Sequence, residues 1–197
     1  SHAFVEIMDE ARDLALELLG LSGNDYTALF LQGGASTQFL MVAYNFLRNE
    51  AAYLNTGTWS KKAIKEAKLF GKVDVIATSE EENFNYIPKY DIIKQYDYFH
   101  CTSNNTIFGT QINSFPSTRT PIFCDMSSDI FSRLLDFTKF HLIYAGAQKN
   151  LGPAGATLVI IKNDLLDNIK DNIPSMLNYN VHVEKSSMFN TPPVFSV

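Results

Sequence analysis

Short apolar runs that alternate with longer amphipathic segments constrain this chain more than any other feature. The runs are Ala28–Leu31, Ala51–Leu54, Val73–Ala77, Tyr98–Cys101, Ile122–Cys124, Leu142–Ala145 and Thr157–Ile161. Each has the length of a strand and is bounded by Asn, Gly, Pro, Asp or Ser. Helical periodicity fills other stretches. In residues 4–20, Ile7, Met8, Ala11, Leu14, Ala15, Leu18 and Leu19 share a face, and Gly20 supplies a stop. Ser36–Leu47 and the Lys-rich Thr58–Phe70 read the same way. Strands separated by helices join through crossovers, which favours parallel pairing. The pattern predicts an α/β fold: a mainly parallel, seven-stranded sheet between helices. Ser22–Asp25 reads as a turn. Residues 79–95, with Pro88, read as a loop with a short helix. Residues 171–193 read as an irregular polar segment.

Composition excludes several functions. A chain of 197 residues fits one large domain or two small ones. A net charge of −5, with no Lys/Arg block, argues against nucleic acid or an anionic membrane as the partner. No apolar run approaches the roughly 18 residues of a membrane-spanning helix. No basic stretch followed by an apolar one marks a signal peptide here. The four histidines are scattered without metal-ligand spacing, so no metal site is expected. Cys101 and Cys124 read as buried thiols in a reducing, cytoplasmic compartment rather than a disulfide framework. The chain opens without Met and stops after Val197, so a segment of a longer protein is expected.

In open α/β sheets, ligands sit beyond the carboxyl ends of strands. That singles out Gln32–Gln38, Thr102–Gly109, Asp125–Arg133 and Gly146–Gly155, which each follow a strand run. Gln32-Gly33-Gly34-Ala35-Ser36-Thr37 joins a strand to a helix, where glycines and free N–H groups can cradle a phosphate. The plainer reading is a tight turn with Ser36 as the helix N-cap. Lys149 emerges from an apolar strand among small residues, where burial beside cations would make its amine nucleophilic. The alternative is a surface lysine. Asp125 ends a buried run and needs a cationic or donor partner. Trp59, the single tryptophan, could stack on a flat ring or simply pack in the core. Pyridoxal phosphate requires a Schiff-base lysine, an acid at its ring nitrogen and a phosphate cradle. Lys149, Asp125 and residues 34–37 could supply all three.

At these residues the chain resembles the phosphoserine aminotransferase family, fold-type-I pyridoxal-phosphate enzymes of aminotransferase class V. The stretches QGGASTQF (32–39), YLNTGTWSKKAIKEAK (53–68), SNNTIFGT (103–110), DMSSDIFSR (125–133), YAGAQKNLGPAG (144–155) and SMFNTPP (187–193) occur in the family's order. The resemblance implies an aspartate-aminotransferase-like large domain over residues 1–197. Lys149 would carry the cofactor and later move a proton. Asp125 would pair with the ring nitrogen, Trp59 would stack on the ring, and Thr106 would hydrogen-bond the phenolic oxygen. The backbone N–H groups of Ala35 and Ser36 and the Gln148 side chain would hold the phosphate. Asn190 and Thr191 would reach the cofactor phosphate of a second copy, so the resemblance implies a homodimer. The implied reaction converts L-glutamate and 3-phosphohydroxypyruvate into 2-oxoglutarate and O-phospho-L-serine, within serine biosynthesis and, in many bacteria, pyridoxine biosynthesis.

Some features depart from the family pattern. Ser1-His2-Ala3 matches a family segment in which an arginine stands at position 3, leaving His2 as a substrate-binding candidate. The family's N-terminal segment and small C-terminal domain, with a further substrate arginine, have no counterpart here. Arg119 and Arg133 remain without an assigned place. Competing readings are another fold-type-I aminotransferase, a cysteine desulfurase, and a non-catalytic remnant that binds the cofactor or only dimerises. Neither cysteine suits a desulfurase. A nucleotide-binding module would lack both GxGxxG and a Walker lysine.

Overall fold

A computed structural model describes residues 2–23 and 25–197. Ser1 of the Ser1-His2-Ala3 triplet, and Asn24 of the expected Ser22–Asp25 turn, lie outside the described residues. In chain order the elements are α1 (His2–Leu18), β1 (Tyr26–Leu31), α2 (Gly34–Phe46), β2 (Glu50–Asn55), α3 (Thr58–Ala67), β3 (Lys72–Thr78) and β4 (Phe99–Thr102). There follow β5 (Asn104–Asn105), β6 (Thr110–Gln111), β7 (Ile122–Asp125), β8 (Phe140–Gly146), α4 (Ala147–Asn150), β9 (Thr157–Lys162) and α5 (Tyr179–Glu184).

All seven expected strands join one sheet, in the order β1-β9-β8-β7-β4-β2-β3. The pairs β2–β3, β2–β4, β4–β7 and β7–β8 are parallel. Strand β9 is antiparallel to both of its neighbours, so β1 and β8 still point the same way. The link between β8 and β9, residues 147–156, falls short of the dozen or so residues a parallel crossover needs. The chain therefore doubles back.

Alternate side chains divide between two faces of the sheet. Phe99, Cys101, Ile122, Cys124, Ile143 and Leu158 pack beneath α1 and the loops before and after β4. Tyr53, Tyr98, Phe123, Leu142, Tyr144 and Val159 pack beneath α2, α3 and α5. Two covered faces explain why the strands read as continuous apolar runs. Phe123 is central on the second face. Its ring stacks on Tyr98 (centroids 4.5 Å apart) and meets Phe46 edge-on at 5.3 Å. Cys101 and Cys124 are register partners with sulfurs 3.7 Å apart, both buried and both free thiols.

The structure corrects several expectations. Helix α2 starts at Gly34, and its N-cap is Gly33 in the left-handed region (φ 94°), so Ser36 lies in the first turn and is not the cap. Helix α3 stops at Ala67, because the amides of Leu69 and Phe70 turn back to Glu66 and Ala67. The short helix expected within 79–95 is a 3-10 turn at Glu80–Glu82. Residues 171–193 are not irregular throughout. Asn178 caps α5 by accepting from the Asn180 amide, and buried Tyr179 donates to Gln38 Oε1 at 2.6 Å. One anchoring aromatic outweighs the polar composition around it. The β5–β6 pair escaped notice because two residues per strand show no alternation. Among the described residues no helix is long and apolar enough to cross a membrane.

Truncating the central ring tests this packing. Phe123→Ala is expected to lower unfolding free energy by about 3–5 kcal/mol, seen as a lower urea midpoint at unchanged slope. A loss well under 1 kcal/mol would contradict the packing described.

Candidate active site

Parallel strands place their carboxyl ends on one edge. Strands β1, β4, β7 and β8 end there, and antiparallel β9 begins there. The four segments singled out in the sequence emerge together along this edge.

Asp125 is the last residue of β7 and is buried, 4% exposed. Ser127 donates twice to its Oδ1, from the backbone N (2.9 Å) and from Oγ (2.7 Å). Burial raises the carboxyl pKa, while the Ser127 donors and the Lys149 charge pull against that rise. Among the described residues no side-chain cation hydrogen-bonds it. Ser127 Oγ also accepts from the Gly146 amide at 3.0 Å, which ties the end of β7 to the end of β8.

Beyond Gly146 the chain enters α4, which carries Gln148 and Lys149. Lys149 Nζ donates to Thr106 Oγ1 at 3.4 Å and lies 4.6 Å from the centroid of the Trp59 ring. Trp59 stands in the first turn of α3, and its buried Nε1 has no partner. Ser60 Oγ accepts from the amides of Thr56 and Gly57, both at 2.9 Å, and fixes that turn. A Cβ on Gly57 would come within 3.0 Å of Asn105 Oδ1 and 3.2 Å of the Phe108 ring. The β2–α3 turn thus presses against the β5–β6 hairpin, which brings Thr106 beside Trp59.

The Gly33 turn approaches from the other side. A Cβ on Gly33 would lie 2.1 Å from Thr37 Oγ1, so this left-handed position requires glycine. A Cβ on Gly146 would lie 3.1 Å from Gln148 Oε1 and 3.5 Å from the Ala35 amide nitrogen. Backbone N–H groups of α2 and the Gln148 amide therefore border one narrow gap, with Ser36 exposed on the same turn.

The structure thus gathers Lys149, Trp59, Thr106, Asp125, Gln148, Ala35 and Ser36 along one edge. Of the two readings of Lys149, a buried amine or a surface lysine, the structure has the second: it is exposed. Asn190 and Thr191 lie beside the Gly33 turn and make no hydrogen bond to Lys149, Asp125 or Gln148. They line a cavity of about 270 Å³ with Gln32, Gly33 and Thr37, where Gln32 Nε2 donates to Thr191 O at 2.5 Å. His2 sits at the exposed start of α1 and pairs with Glu6 at 3.2 Å. Arg133 is engaged by Asp129 at 3.1 Å. Arg119 is exposed just before β7 begins, at the opposite edge of the sheet. Sequence reasoning missed Ser127, although an Asp followed two residues later by Ser is the spacing of an Asx-turn.

A flat phosphorylated pyridine aldehyde fits these groups. The buried carboxylate lacks a cationic partner, the amine faces an aromatic plate, and a Cβ at Gly146 would crowd the gap beside the α2 amides. A lysine and a buried carboxylate at the carboxyl edge of a mainly parallel seven-stranded sheet match the large domain of fold-type-I pyridoxal-phosphate enzymes. The family model for aminotransferase class V matches residues 1–197, and the chain belongs to that family. Within it, the chain is similar to phosphoserine aminotransferases. The protein of that description from Flavobacterium johnsoniae is 63% identical over 200 residues, covering 100% of this chain and 56% of the relative. The structure of phosphoserine aminotransferase from Bacillus circulans subsp. alkalophilus superposes with a TM-score of 0.94 at 45% identity, covering 99% of this chain and 55% of the other. The structure of the pyridoxal-phosphate-bound Trichomonas vaginalis enzyme gives 0.91 at 34% identity, covering 99% and 60%. The chain spans a little over half the length of the relatives it matches.

The buried carboxylate has a consequence for stability. An acid whose folded pKa is raised weakens folding as pH climbs from the unfolded value through the folded one. Asp125→Asn keeps the Oδ1 acceptor and removes the charge. The chain without cofactor is expected to gain stability at pH 7, and the gain should fade as pH falls toward the ordinary carboxylate value of about 3.9. Urea midpoints across pH check this, and a lower midpoint for Asp125→Asn at pH 7 would contradict it.

Proposed function

We propose that the chain is the large, cofactor-binding domain of a pyridoxal-phosphate-dependent transaminase that converts 3-phosphohydroxypyruvate and L-glutamate into O-phospho-L-serine and 2-oxoglutarate. One observation carries the reading: Lys149 Nζ sits between Thr106 and the Trp59 ring, on the edge where Asp125 is buried. The descriptions of the relatives support the substrate class. When bound, pyridoxal phosphate supplies the electron sink that no amino-acid side chain offers.

The chain's own residues divide the remaining work. Lys149 Nζ is the nucleophilic amine and then the base that takes a proton from the substrate α-carbon. The Asp125 carboxylate, steadied by Ser127, holds a proton on a ring nitrogen facing it. The Trp59 ring excludes water from one face of the cofactor. Thr106 Oγ1 donates to a phenolic oxygen. The Ala35 and Ser36 amides and the Gln148 side chain bind the phosphate. Asn190 and Thr191 serve the phosphate of a second copy, making the working unit a homodimer. His2 takes part in substrate binding, and the protein works in the cytoplasm, where Cys101 and Cys124 stay reduced.

A second reading is a chain that binds the cofactor without turning over. It draws on Ala3, which stands where the family carries a substrate arginine, and on Arg133, which is already engaged by Asp129.

Adding pyridoxal phosphate, reducing with borohydride and mapping the labelled peptide tests the proposal. The expected result is a visible band, label confined to Lys149, and loss of both in Lys149→Ala. Adding L-glutamate or O-phospho-L-serine should then bleach the band, while L-alanine should not. A band that neither acid bleaches favours the second reading. Label scattered over surface lysines in a folded chain overturns both.

A further inference from the structure

We propose that Asp129 is a positioning residue whose carboxylate clamps the β5–β6 hairpin and so holds Thr106 at the site. The proposal rests on the reading of Thr106 as a cofactor contact.

The hairpin needs such a clamp. It consists of two strands of two residues each, and an isolated two-stranded pair is marginal in water. Its tip is exposed at Thr106, Ile107 and Gly109. Asp129, by contrast, is buried. One of its oxygens, Oδ1, accepts from Ser103 Oγ, just before β5. The other, Oδ2, accepts from Gln111 Nε2 of β6 at 3.0 Å and from Arg133 Nη2 at 3.1 Å. One carboxylate therefore grips both ends of the hairpin, and Arg133 balances its charge. Hydrogen bonds to a charged group are the stronger kind, and a buried carboxylate left without donors is strongly unfavourable.

Neighbouring bonds run in the same direction. Asn104 Nδ2 donates to Ser128 Oγ at 3.0 Å, and Ser128 Oγ donates to Asn104 O at 2.9 Å. On the far side, Thr56 Oγ1 donates to Asn105 Oδ1 at 3.2 Å, which links the hairpin to the turn that carries Trp59. Thr106 follows directly. Its hydroxyl is aimed by a hairpin that Asp129 holds from one side and Thr56 from the other. This gives Arg133 a place: it serves Asp129.

Hydrogen exchange on the chain without cofactor reads the clamp directly. Asp129→Asn keeps the shape but removes the charge and leaves one acceptor oxygen, which cannot serve Ser103 on one side and the Gln111–Arg133 pair on the other. The Gly109 and Ile112 amides, bonded to Asn105 O and Ser103 O, should exchange about tenfold faster or more, while β1 amides stay unchanged. Gln111→Met removes only the hairpin's own bond and should act in the same direction, more weakly. It carries the test if Asp129→Asn does not fold. With pyridoxal phosphate added, the pH midpoint of the visible band gives the second readout. A hydroxyl donating to a phenolate lowers that midpoint, so Thr106→Val and Asp129→Asn should each raise it. The double variant should rise no further than Thr106→Val alone. Unchanged exchange at Gly109 and Ile112 in folded variants, or additive midpoint shifts, would overturn the proposal. Failure of the cofactor reading looks different: the unaltered chain then shows no visible band, and the exchange measurement alone decides whether the clamp exists.

Discussion

Ser127 joins the two strand ends that carry Asp125 and Lys149. Its amide and hydroxyl hold the Asp125 carboxylate, and its oxygen takes the Gly146 amide. Two strand ends are thereby fixed to each other at the point where each releases its chemistry. Strand β7 delivers a buried negative charge, and β8 delivers the turn that lifts Lys149 to the edge. The arrangement favours a cationic ring facing Asp125, because burial alone disfavours the charged carboxylate.

The sheet makes that convergence possible. Its parallel register sets β4, β7 and β8 side by side, so the segments after them meet without long loops. Antiparallel β9 lets the chain return between β8 and β1, next to the Gly33 turn. The hairpin after β4 closes the remaining side. Lys149, Thr106 and Ser36 are exposed along this edge.

Most of this architecture is legible in the sequence because burial on two faces writes strands as unbroken apolar runs. Lys149 and Asp125 stand out because a charge just beyond such a run demands a partner, and Trp59 because it is the single tryptophan, at the start of a helix. Thr106 and Gln148 do not stand out by themselves; only resemblance singles them out, since a hydroxyl and a side-chain amide carry no periodic signal, whereas the Gly33–Gly34 turn points to the Ala35 and Ser36 amides. Helix α5 hides for a related reason. Six residues anchored by buried Tyr179 and His182 look like a loop. The β5–β6 hairpin and the Asp129 contacts are legible only in three dimensions, because Ser103 and Gln111 come from one stretch and Asp129 and Arg133 from another. Lys149 shows the limit in the other direction: its small-residue surroundings fit both a buried and a surface lysine, and the structure leaves it exposed.

The central claim is that the buried Asp125 carboxylate would accept a hydrogen bond from the ring nitrogen of a bound pyridine and so keep that nitrogen protonated. The most direct measurement is the nitrogen-15 chemical shift of ring-labelled pyridoxal phosphate bound to the chain, followed across neutral and mildly alkaline pH. The account predicts a protonated ring nitrogen throughout that range, and a shift to the neutral-pyridine value in Asp125→Ala. A neutral-pyridine signal in the unaltered chain, or a protonated one that survives Asp125→Ala, would contradict it.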